Sequence, residues 1–243
     1  MSRTFAIGDI HGAYKALHQI IEKIHPLPGD RLIFLGDYVD GWSQSAETIA
    51  YMMELEQRCT CIFLRGNHDA WCESWLAGEP ASDLWLQHGG KATVASYEKL
   101  TPEVRKAHLA FYRRMRQFYT DEHNRLYIHA GFASMHGPDY ERYQYNYMWD
   151  RTLWEMALSL DPKLSTTDIR YPKRLRLFSE IFIGHTPTIN YGQFMPMHAG
   201  NVWNVDTGAG FNGKLTAMDL RTKECIQSDT VQYLYPGEKG RNT

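Results

Sequence analysis

The 243-residue sequence has only four cysteines, namely Cys59, Cys61, Cys72 and Cys225. No two of them have the spacing of a C-x-x-C zinc motif. The sequence therefore gives no support for a zinc ribbon or a disulfide framework. Small buried thiols are the simpler interpretation, and we assign the cysteines no function.

Long apolar runs and an excess of one charge are also missing. No segment approaches the roughly 20 apolar residues that span a bilayer. No basic segment leads into an apolar signal stretch before the strand-like run that starts at Thr4. The formal net charge is -2, so the chain lacks the excess of positive charge that is typical of proteins that bind nucleic-acid polymers. We therefore expect a cytoplasmic protein that binds neither membranes nor nucleic-acid polymers, and the sequence does not indicate its oligomeric state.

The length and the order of the elements favour one α/β domain over residues 1–243. A helical insertion is predicted at about 71–120, and a candidate cap segment at about 136–176. The first three strand-like runs alternate with helical patterns, which indicates a largely parallel start to the sheet. Successive antiparallel strands are predicted over 202–205, 214–220 and 225–231, followed by a loose tail over 236–243.

Five apolar runs end in the same way, with glycine or alanine next to Asp, Asn or His. The side chains that they supply are Asp9, His11, Asp37, Asn67, His129 and His185. Open α/β sheets place ligands beyond the carboxyl ends of their strands. A lone histidine of this kind is more often a core residue, but the joint pattern favours a metal site.

The donor types suit a pair of divalent ions. Asp9 and His11 are two residues apart, so both side chains can reach one ion from an extended segment. Asp37 has two carboxylate oxygens and could bridge two ions about 3.5–4 Å apart. Mixed imidazole and carboxylate donors favour manganese, iron or zinc, and we expect manganese. Such a site acidifies water for in-line attack of a hydroxide on a phosphoryl group.

Two further residues are candidates for proton transfer. His68 follows Asn67 and is expected to point away from the ion that Asn67 binds, so it could protonate the leaving oxygen. Asp40 could orient the His68 imidazole. The alternative for Asp40 is a turn residue that binds its own backbone.

Together these motifs resemble the phosphoprotein phosphatase family of metallophosphoesterases, and most closely its compact bacterial and phage serine/threonine phosphatases. The motifs are G-D-I-H-G at 8–12, G-D-Y-V-D at 36–40, R-G-N-H-D at 65–69, H-A-G at 129–131, G-H-T at 184–186 and the subgroup element G-G-x-x-T-x-x-S-Y at 89–97. The resemblance implies two packed mixed β-sheets flanked by helices, with a dinuclear metal site at the strand ends. It also implies the ligand sets: Asp9, His11 and Asp37 for one ion, and Asp37, Asn67, His129 and His185 for the other.

The sequence departs from the family where its second motif continues. The family has Asp-Arg-Gly, whose arginine contacts the substrate phosphate, whereas this chain has Asp40-Gly41-Trp42. A Trp-x-Arg element at 149–151 resembles another phosphate-binding element, so Arg151 is the candidate clamp, together with Asn67 and His68. The alternative for Arg151 is a surface arginine paired with an acid.

Three functions follow from these patterns. The first is a metal-dependent serine/threonine protein phosphatase acting on phosphoproteins or small phosphoesters. The second is a hydrolase similar to the symmetrical diadenosine tetraphosphate hydrolases, in which aromatics between Tyr140 and Trp154 could stack a base or could be core. The third is a non-catalytic scaffold, which the complete ligand set argues against.

Overall fold

The computed structural model describes residues 2–242 as two sheets with helices on their outer faces. The strands are β1 (Thr4–Ile7), β2 (Arg31–Phe34), β3 (Thr60–Phe63), β4 (Phe118–Thr120), β5 (Arg125–Ile128), β6 (Glu180–Ile183), β7 (Met197–Ala199), β8 (Val202–Asn204), β9 (Thr216–Asp219) and β10 (Cys225–Gln227). The α-helices are α1 (Tyr14–Ile24), α2 (Ser45–Leu55), α3 (Asn67–Leu76), α4 (Asp83–Trp85), α5 (Lys91–Tyr97), α6 (Pro102–Arg113), α7 (Asn146–Trp149), α8 (Thr152–Leu158), α9 (Lys173–Arg176) and α10 (Val231–Leu234). A π-turn spans Leu86–Gly90, and 3-10 turns span Pro138–Tyr140 and Thr188–Tyr191.

Both sheets mix parallel and antiparallel pairs. The first has the order β10-β9-β1-β2-β3, and the second has the order β4-β5-β6-β8-β7. In the first, β1, β2 and β3 are parallel, as the alternating strand and helix patterns predict. In the second, β5, β6 and β8 are parallel. The predicted class of two packed mixed sheets flanked by helices is confirmed.

Alternation of side chains along each strand explains why the sheets pack in layers. Ala6 and Ile33 point from the first sheet to Tyr127 and Phe182 of the second, in a cluster between the sheets. Ile7 and its neighbours on the opposite face pack against the helices instead. Because both faces of the central parallel strands are covered, these strands read as continuous apolar runs.

The C-terminal strands were only partly predicted. The run at 202–205 does form β8, but β8 pairs in parallel with β6 and antiparallel with β7, in the second sheet. The strands β9 and β10 are antiparallel and extend the first sheet beside β1. The expectation of one antiparallel series was wrong, because an apolar pattern identifies a strand and does not identify its partner.

The segment 236–242 is not the loose tail that the sequence suggested. The backbone N–H of Arg241 donates to the carbonyl of Gly210 at 2.8 Å. The Glu238 carboxylate accepts hydrogen bonds from the backbone N–H and the hydroxyl of Ser43, at 3.0 and 2.8 Å. Thr243 lies outside the described residues. Within residues 2–242 no helix combines the length and the apolar character needed to cross a bilayer.

Asp121 at the β4–β5 turn offers a test of the fold that is independent of the site. Its carboxylate accepts hydrogen bonds from the backbone and side chain of Arg125 and from the Tyr127 hydroxyl. Burial acts to raise the pKa of Asp121, but these hydrogen bonds outweigh it and the pKa is lowered. A lowered folded-state pKa means that the carboxylate stabilises the fold above the unfolded value of about 3.9. That contribution is lost as the pH falls through the folded-state pKa.

Asp121→Asn is therefore expected to lower the free energy of unfolding by about 2 kcal/mol at pH 7, and by less near pH 3. Urea unfolding at the two pH values measures this difference. Asp168→Asn, in the solvated Arg170 pair, is the matched control and should change little. A cost for Asp121→Asn that is the same at both pH values would contradict the assignment.

Candidate functional site

The predicted metal ligands meet at the edge where the parallel strands of both sheets end. The buried members are Asp9, His11, Asp37, Asn67 and His129, and His185 is half-buried. Two groups of side chains have ligand atoms within 4.8 Å of one another, one formed by His11, Asp37 and His68 and the other by Asp37, His129 and His185. Asp37 belongs to both groups, as a bridging carboxylate would.

Distances within the cluster are consistent with shared ligation. The Asp37 Oδ2 atom lies 3.8 Å from His11 Nε2 and 3.3 Å from His129 Nε2. The Asn67 Oδ1 atom lies 3.3 Å from His129 Nε2 and 3.1 Å from His185 Nδ1. Asp9 Oδ2 is 4.0 Å from His11 Nε2. The sequence-predicted ligands are thus together in one place.

The backbone of the cluster is strained. His11, Asp37, Asp40 and His185 have positive φ angles of 54°, 54°, 74° and 67°. Left-handed residues other than glycine cost of order 1–3 kcal/mol each and concentrate at functional sites. Nothing in the sequence pattern marks these four residues as left-handed.

Two motif glycines are required by close approach of the ligands. A Cβ atom on Gly66 would lie 2.1 Å from Asp37 Oδ1, and one on Gly184 would lie 2.1 Å from Asp9 Oδ1. Any larger residue would push the carboxylates out of the cluster. These contacts explain why glycine precedes Asn67 and His185 in the sequence.

Hydrogen bonds orient two of the imidazoles. Nδ1 of His11 donates to the Val39 carbonyl at 3.1 Å, and Nδ1 of His129 donates to the Leu35 carbonyl at 2.8 Å. Each ring therefore presents Nε2 to the cluster, which is the arrangement found around metal-binding histidines.

Unpartnered atoms indicate that the cluster fits divalent ions. Asp9 Oδ1 and His185 Nε2 are buried and have no hydrogen-bond partner among residues 2–242. Buried polar atoms are almost always paired, so such exceptions need an explanation. A cation would satisfy both atoms, and a donor set of carboxylate, imidazole and amide suits transition metals better than calcium or magnesium.

The charges of the cluster depend on one another. Burial acts to raise the pKa of Asp37, but the neighbouring His129 and His68 hold it well below its usual range. Burial acts to lower the pKa of His129, but Asp37 raises it to about 10. Burial also lowers the pKa values of His11 and His185. Ligation at His129 must therefore release a proton, so metal affinity is expected to rise with pH.

His68 and Asp40 form the pair that the sequence suggested. His68 Nδ1 lies 2.6 Å from Asp40 Oδ2, which leaves His68 Nε2 for the cavity. Asp40 also accepts hydrogen bonds from Trp85 Nε1 and the Thr93 hydroxyl, both at 2.6 Å. The sequence does not indicate these two anchors: Trp85 lies in the predicted helical insertion, and the 89–97 element contains Thr93 without giving it a role. The structure shows that this element holds Asp40.

Asp69 joins the second and third motif loops. Its carboxylate accepts hydrogen bonds from the backbone N–H groups of Gly66, Asp37 and Tyr38, at 2.9, 2.8 and 2.9 Å. A buried carboxylate with these partners sets the spacing between the two loops. In the sequence Asp69 is only the last residue of the R-G-N-H-D motif, and the pattern gives it no role.

A cavity of about 190 Å³ opens onto the cluster. Its lining residues are Asp37, Asn67, His68, Trp71, Leu84, His88, Trp149, Arg151, His185 and Arg241. No carboxylate of residues 2–242 lies within ion-pair distance of Arg151, so the alternative of a surface ion pair is not realised. Arg241 was missed because it lies in the predicted loose tail.

Two aromatic rings line one side of this cavity, and we call this pair, Trp71 and Trp149, the aromatic wall. The rings of Tyr145 and Trp149 are stacked, with centroids 5.2 Å apart and planes 9° apart. Trp149 meets the ring of Trp71 edge-on at 5.2 Å. The predicted aromatic cluster is thus divided, because Trp154 is a core residue.

Known proteins similar to this chain include phosphohydrolases. An asymmetrical bis(5'-nucleosyl)-tetraphosphatase of Geobacillus thermodenitrificans is 30% identical, over 87% of this chain and 88% of that protein. A symmetrical bis(5'-nucleosyl)-tetraphosphatase of Janthinobacterium is 26% identical, over 97% of this chain and 99% of that protein. The fold is similar to that of a serine/threonine protein phosphatase from Saccharomyces cerevisiae, with a TM-score of 0.64, 14% identity, and coverage of 100% of this chain and 84% of that one.

The similarity to the family covers the second sheet and the three parallel strands of the first. Residues 2–207 match the calcineurin-like phosphoesterases, and this range includes every one of the clustered Asp, Asn and His side chains. Members of this family use divalent metal ions to hydrolyse phosphoesters. The chain therefore belongs to the calcineurin-like phosphoesterase family of metal-dependent phosphohydrolases.

Proposed function

We propose that this phosphohydrolase cleaves dinucleoside tetraphosphates. The observation that carries the proposal is the aromatic wall, which lies in the same cavity as Asp37 and His68. Aromatic rings bind nucleobases by stacking, and such contacts tolerate any base. The names of the relatives from Geobacillus and Janthinobacterium support the same substrate class.

This proposal reverses the order of the sequence-based hypotheses, in which a phosphoprotein substrate came first. The sequence identity to the yeast protein phosphatase is only 14%, so this similarity concerns the fold alone. A phosphoserine or phosphothreonine side chain does not require an aromatic wall beside the reacting phosphate. Phosphopeptide hydrolysis is therefore an outcome to be tested, and not the leading proposal.

We propose the ligand sets that the resemblance implied. Asp9, His11 and Asp37 would hold one ion, and the list for the second is Asp37, Asn67, His129 and His185. Manganese is the first choice, with iron or zinc as alternatives, since all three accept imidazole and carboxylate donors. When bound, such ions supply an acidified water and polarise the phosphoryl oxygens.

The other roles belong to protein groups. His68 would donate a proton from Nε2 to the leaving phosphate oxygen, and the Asp40 carboxylate would keep the imidazole oriented through Nδ1. Arg151 would bind the substrate phosphate through its guanidinium group, with Asn67 beside it. The aromatic wall would hold a base and so orient the polyphosphate chain.

The deciding experiment compares substrates on metal-stripped protein reloaded with manganese. Diadenosine tetraphosphate, p-nitrophenyl phosphate and a phosphothreonine peptide are compared by kcat/KM. The proposal expects diadenosine tetraphosphate to be preferred, and the products to identify the cleaved bond: ADP alone for the symmetrical bond, AMP and ATP for the asymmetrical one. Preference for the peptide would replace the proposal with the protein phosphatase function.

Trp149→Ala should separate base binding from chemistry. Loss of a stacking ring costs about 1–3 kcal/mol per base, so KM for diadenosine tetraphosphate should rise about 10-fold or more. The rise for p-nitrophenyl phosphate should be much smaller, because this ester has no nucleobase. Tyr233→Ala, at a ring that is 81% exposed and does not line the cavity, is the control. Equal effects on both esters would contradict a base-binding wall.

A further inference from the structure

Arg241 places a second guanidinium group in the cavity. Its Nη1 lies 3.0 Å from His11 Nε2, and its side chain lines the cavity with Asp37 and His68. The guanidinium carbon lies 5.0 Å from the centroid of the Phe211 ring, which supports it from behind. Arg241 is therefore on the His11 side of the cluster. Arg151 is on the other side, where its charge adds to the effect of burial in lowering the pKa of His185.

Within residues 2–242 the guanidinium of Arg241 is in no ion pair with a carboxylate. No carboxylate of residues 2–242 lies within the 4.0 Å ion-pair distance of its guanidinium, in contrast to Arg3 and Arg125, which are paired with Asp30 and Asp121. A guanidinium group has five N–H donors in a planar fork that fits phosphate oxygens. One donor, on Nη1, is directed to His11 Nε2, and the remaining N–H groups of the fork can bind an anion in the cavity.

The segment that carries Arg241 is anchored by residues other than Arg241. Trp42 is fully buried, and a Cβ on Gly240 would lie 2.6 Å from its ring. The Trp42 ring also stacks on Tyr235 at 5.2 Å. Asn242 Nδ2 donates to Asn212 Oδ1 at 3.0 Å. The position of the segment is thus built into the fold.

Gly41 leaves the space that Arg241 fills. A Cβ at Gly41 would lie 2.9 Å from Arg241 Cγ, and Gly41 has a φ of +121°, which side chains rarely adopt. The Gly41-Trp42 pair thus makes room for the arginine and supplies the surface against which its segment packs. The replacement of Arg-Gly by Gly41-Trp42 is therefore what allows Arg241 to occupy its position.

We propose that Arg241 is a phosphate-binding residue of this site, in the place that an arginine at position 41 would serve. It would donate from the His11 side, and the phosphate would lie between Arg241 and Arg151. The inference rests on the proposed hydrolase function for its substrate. Its own test needs only inorganic phosphate.

The competing explanation is that Arg241 braces His11. In that case the loss of the guanidinium would disturb metal binding, because His11 is a candidate ligand. The two explanations therefore predict different metal contents for a variant that lacks the guanidinium: unchanged if Arg241 binds phosphate directly, and lower if it braces His11.

The experiment measures the affinity of manganese-loaded protein for inorganic phosphate by titration calorimetry, together with metal content. We expect Arg241→Ala to weaken phosphate binding about 10- to 100-fold with unchanged metal content, and Arg241→Lys to retain part of the affinity. Lys239→Ala removes an exposed cation of the same segment and should bind phosphate as the wild type does. Unchanged affinity in Arg241→Ala, a loss of metal, or no measurable phosphate binding by the wild type would each overturn the proposal.

A second measurement requires no variant. Phosphate held by Arg241 should slow hydrogen exchange in peptides that cover 236–242 of the wild-type protein, and unchanged exchange would overturn the proposal. Hydrolysis of diadenosine tetraphosphate decides the proposed function, whereas phosphate affinity decides the role of Arg241. The two can therefore fail independently.

Discussion

Asp37→Asn is expected to remove metal-dependent hydrolysis and to lower the metal content of the protein. Asp37 is the one residue that belongs to both ligand groups among residues 2–242. An amide has one oxygen ligand and no negative charge, so it cannot bridge two cations as a carboxylate can. The lost electrostatic stabilisation amounts to several kcal/mol, which corresponds to a decrease in kcat/KM of about 10³-fold or more.

The variant should keep its fold. Asparagine is among the residues that adopt left-handed conformations most readily, and Asp37 has a φ of 54°. Circular dichroism and elemental analysis would separate loss of fold from loss of metal. Asp161→Asn, which removes an exposed carboxylate, is the matched control. Two bound ions and turnover within about 10-fold of the wild type would rule out the bridging role.

His68→Asn is expected to lower kcat by about 10²- to 10⁴-fold while metal content is retained. The His68 Nδ1 is held by Asp40, so the residue acts through Nε2 on the cavity side. General-acid catalysis matters most when the leaving group is basic. The decrease should therefore be larger for an alkyl phosphate than for p-nitrophenyl phosphate.

Two control variants test whether the decrease is specific to His68 and its partner Asp40. His88→Asn makes the same change at another imidazole of the cavity and should affect the small esters little. Asp40→Asn should reproduce the leaving-group dependence, because it leaves the His68 ring without its carboxylate. His68 also lies within ligand distance of His11 and Asp37. A drop in metal content of His68→Asn would therefore assign it to the metal and not to proton transfer.

The predictable part of the site consists of residues that follow strands. The three parallel strands β1, β2 and β3 and their polar ends were readable because each is a continuous apolar run that stops at glycine. Parallel strands deliver their carboxyl ends to one edge, so Asp9, Asp37 and Asn67 had to lie near one another. His129 and His185 followed from the same rule in the second sheet.

Contacts between distant segments were not predictable. Arg241 is one of 26 lysines and arginines, and nothing local distinguishes it as the residue that reaches His11. Asp40 is held by Trp85 and Thr93, and nothing in the sequence near either residue indicates a contact with Asp40. The left-handed backbone at the ligands depends on hydrogen bonds from other loops, such as the one from His11 N–H to the Asp37 carbonyl.

The strands that carry the site, and the side chains that follow them, could be predicted from the sequence, whereas β4, inside the predicted helical insertion, and β7 could not. The physical reason is that periodicity and strand ends are local properties of the chain. The pairing of β8 with β6 and of β9 with β1, and the entry of Arg241 into the cavity beside Gly41, became visible only in three dimensions. Those outcomes depend on packing between segments far apart in the chain, which no local pattern encodes.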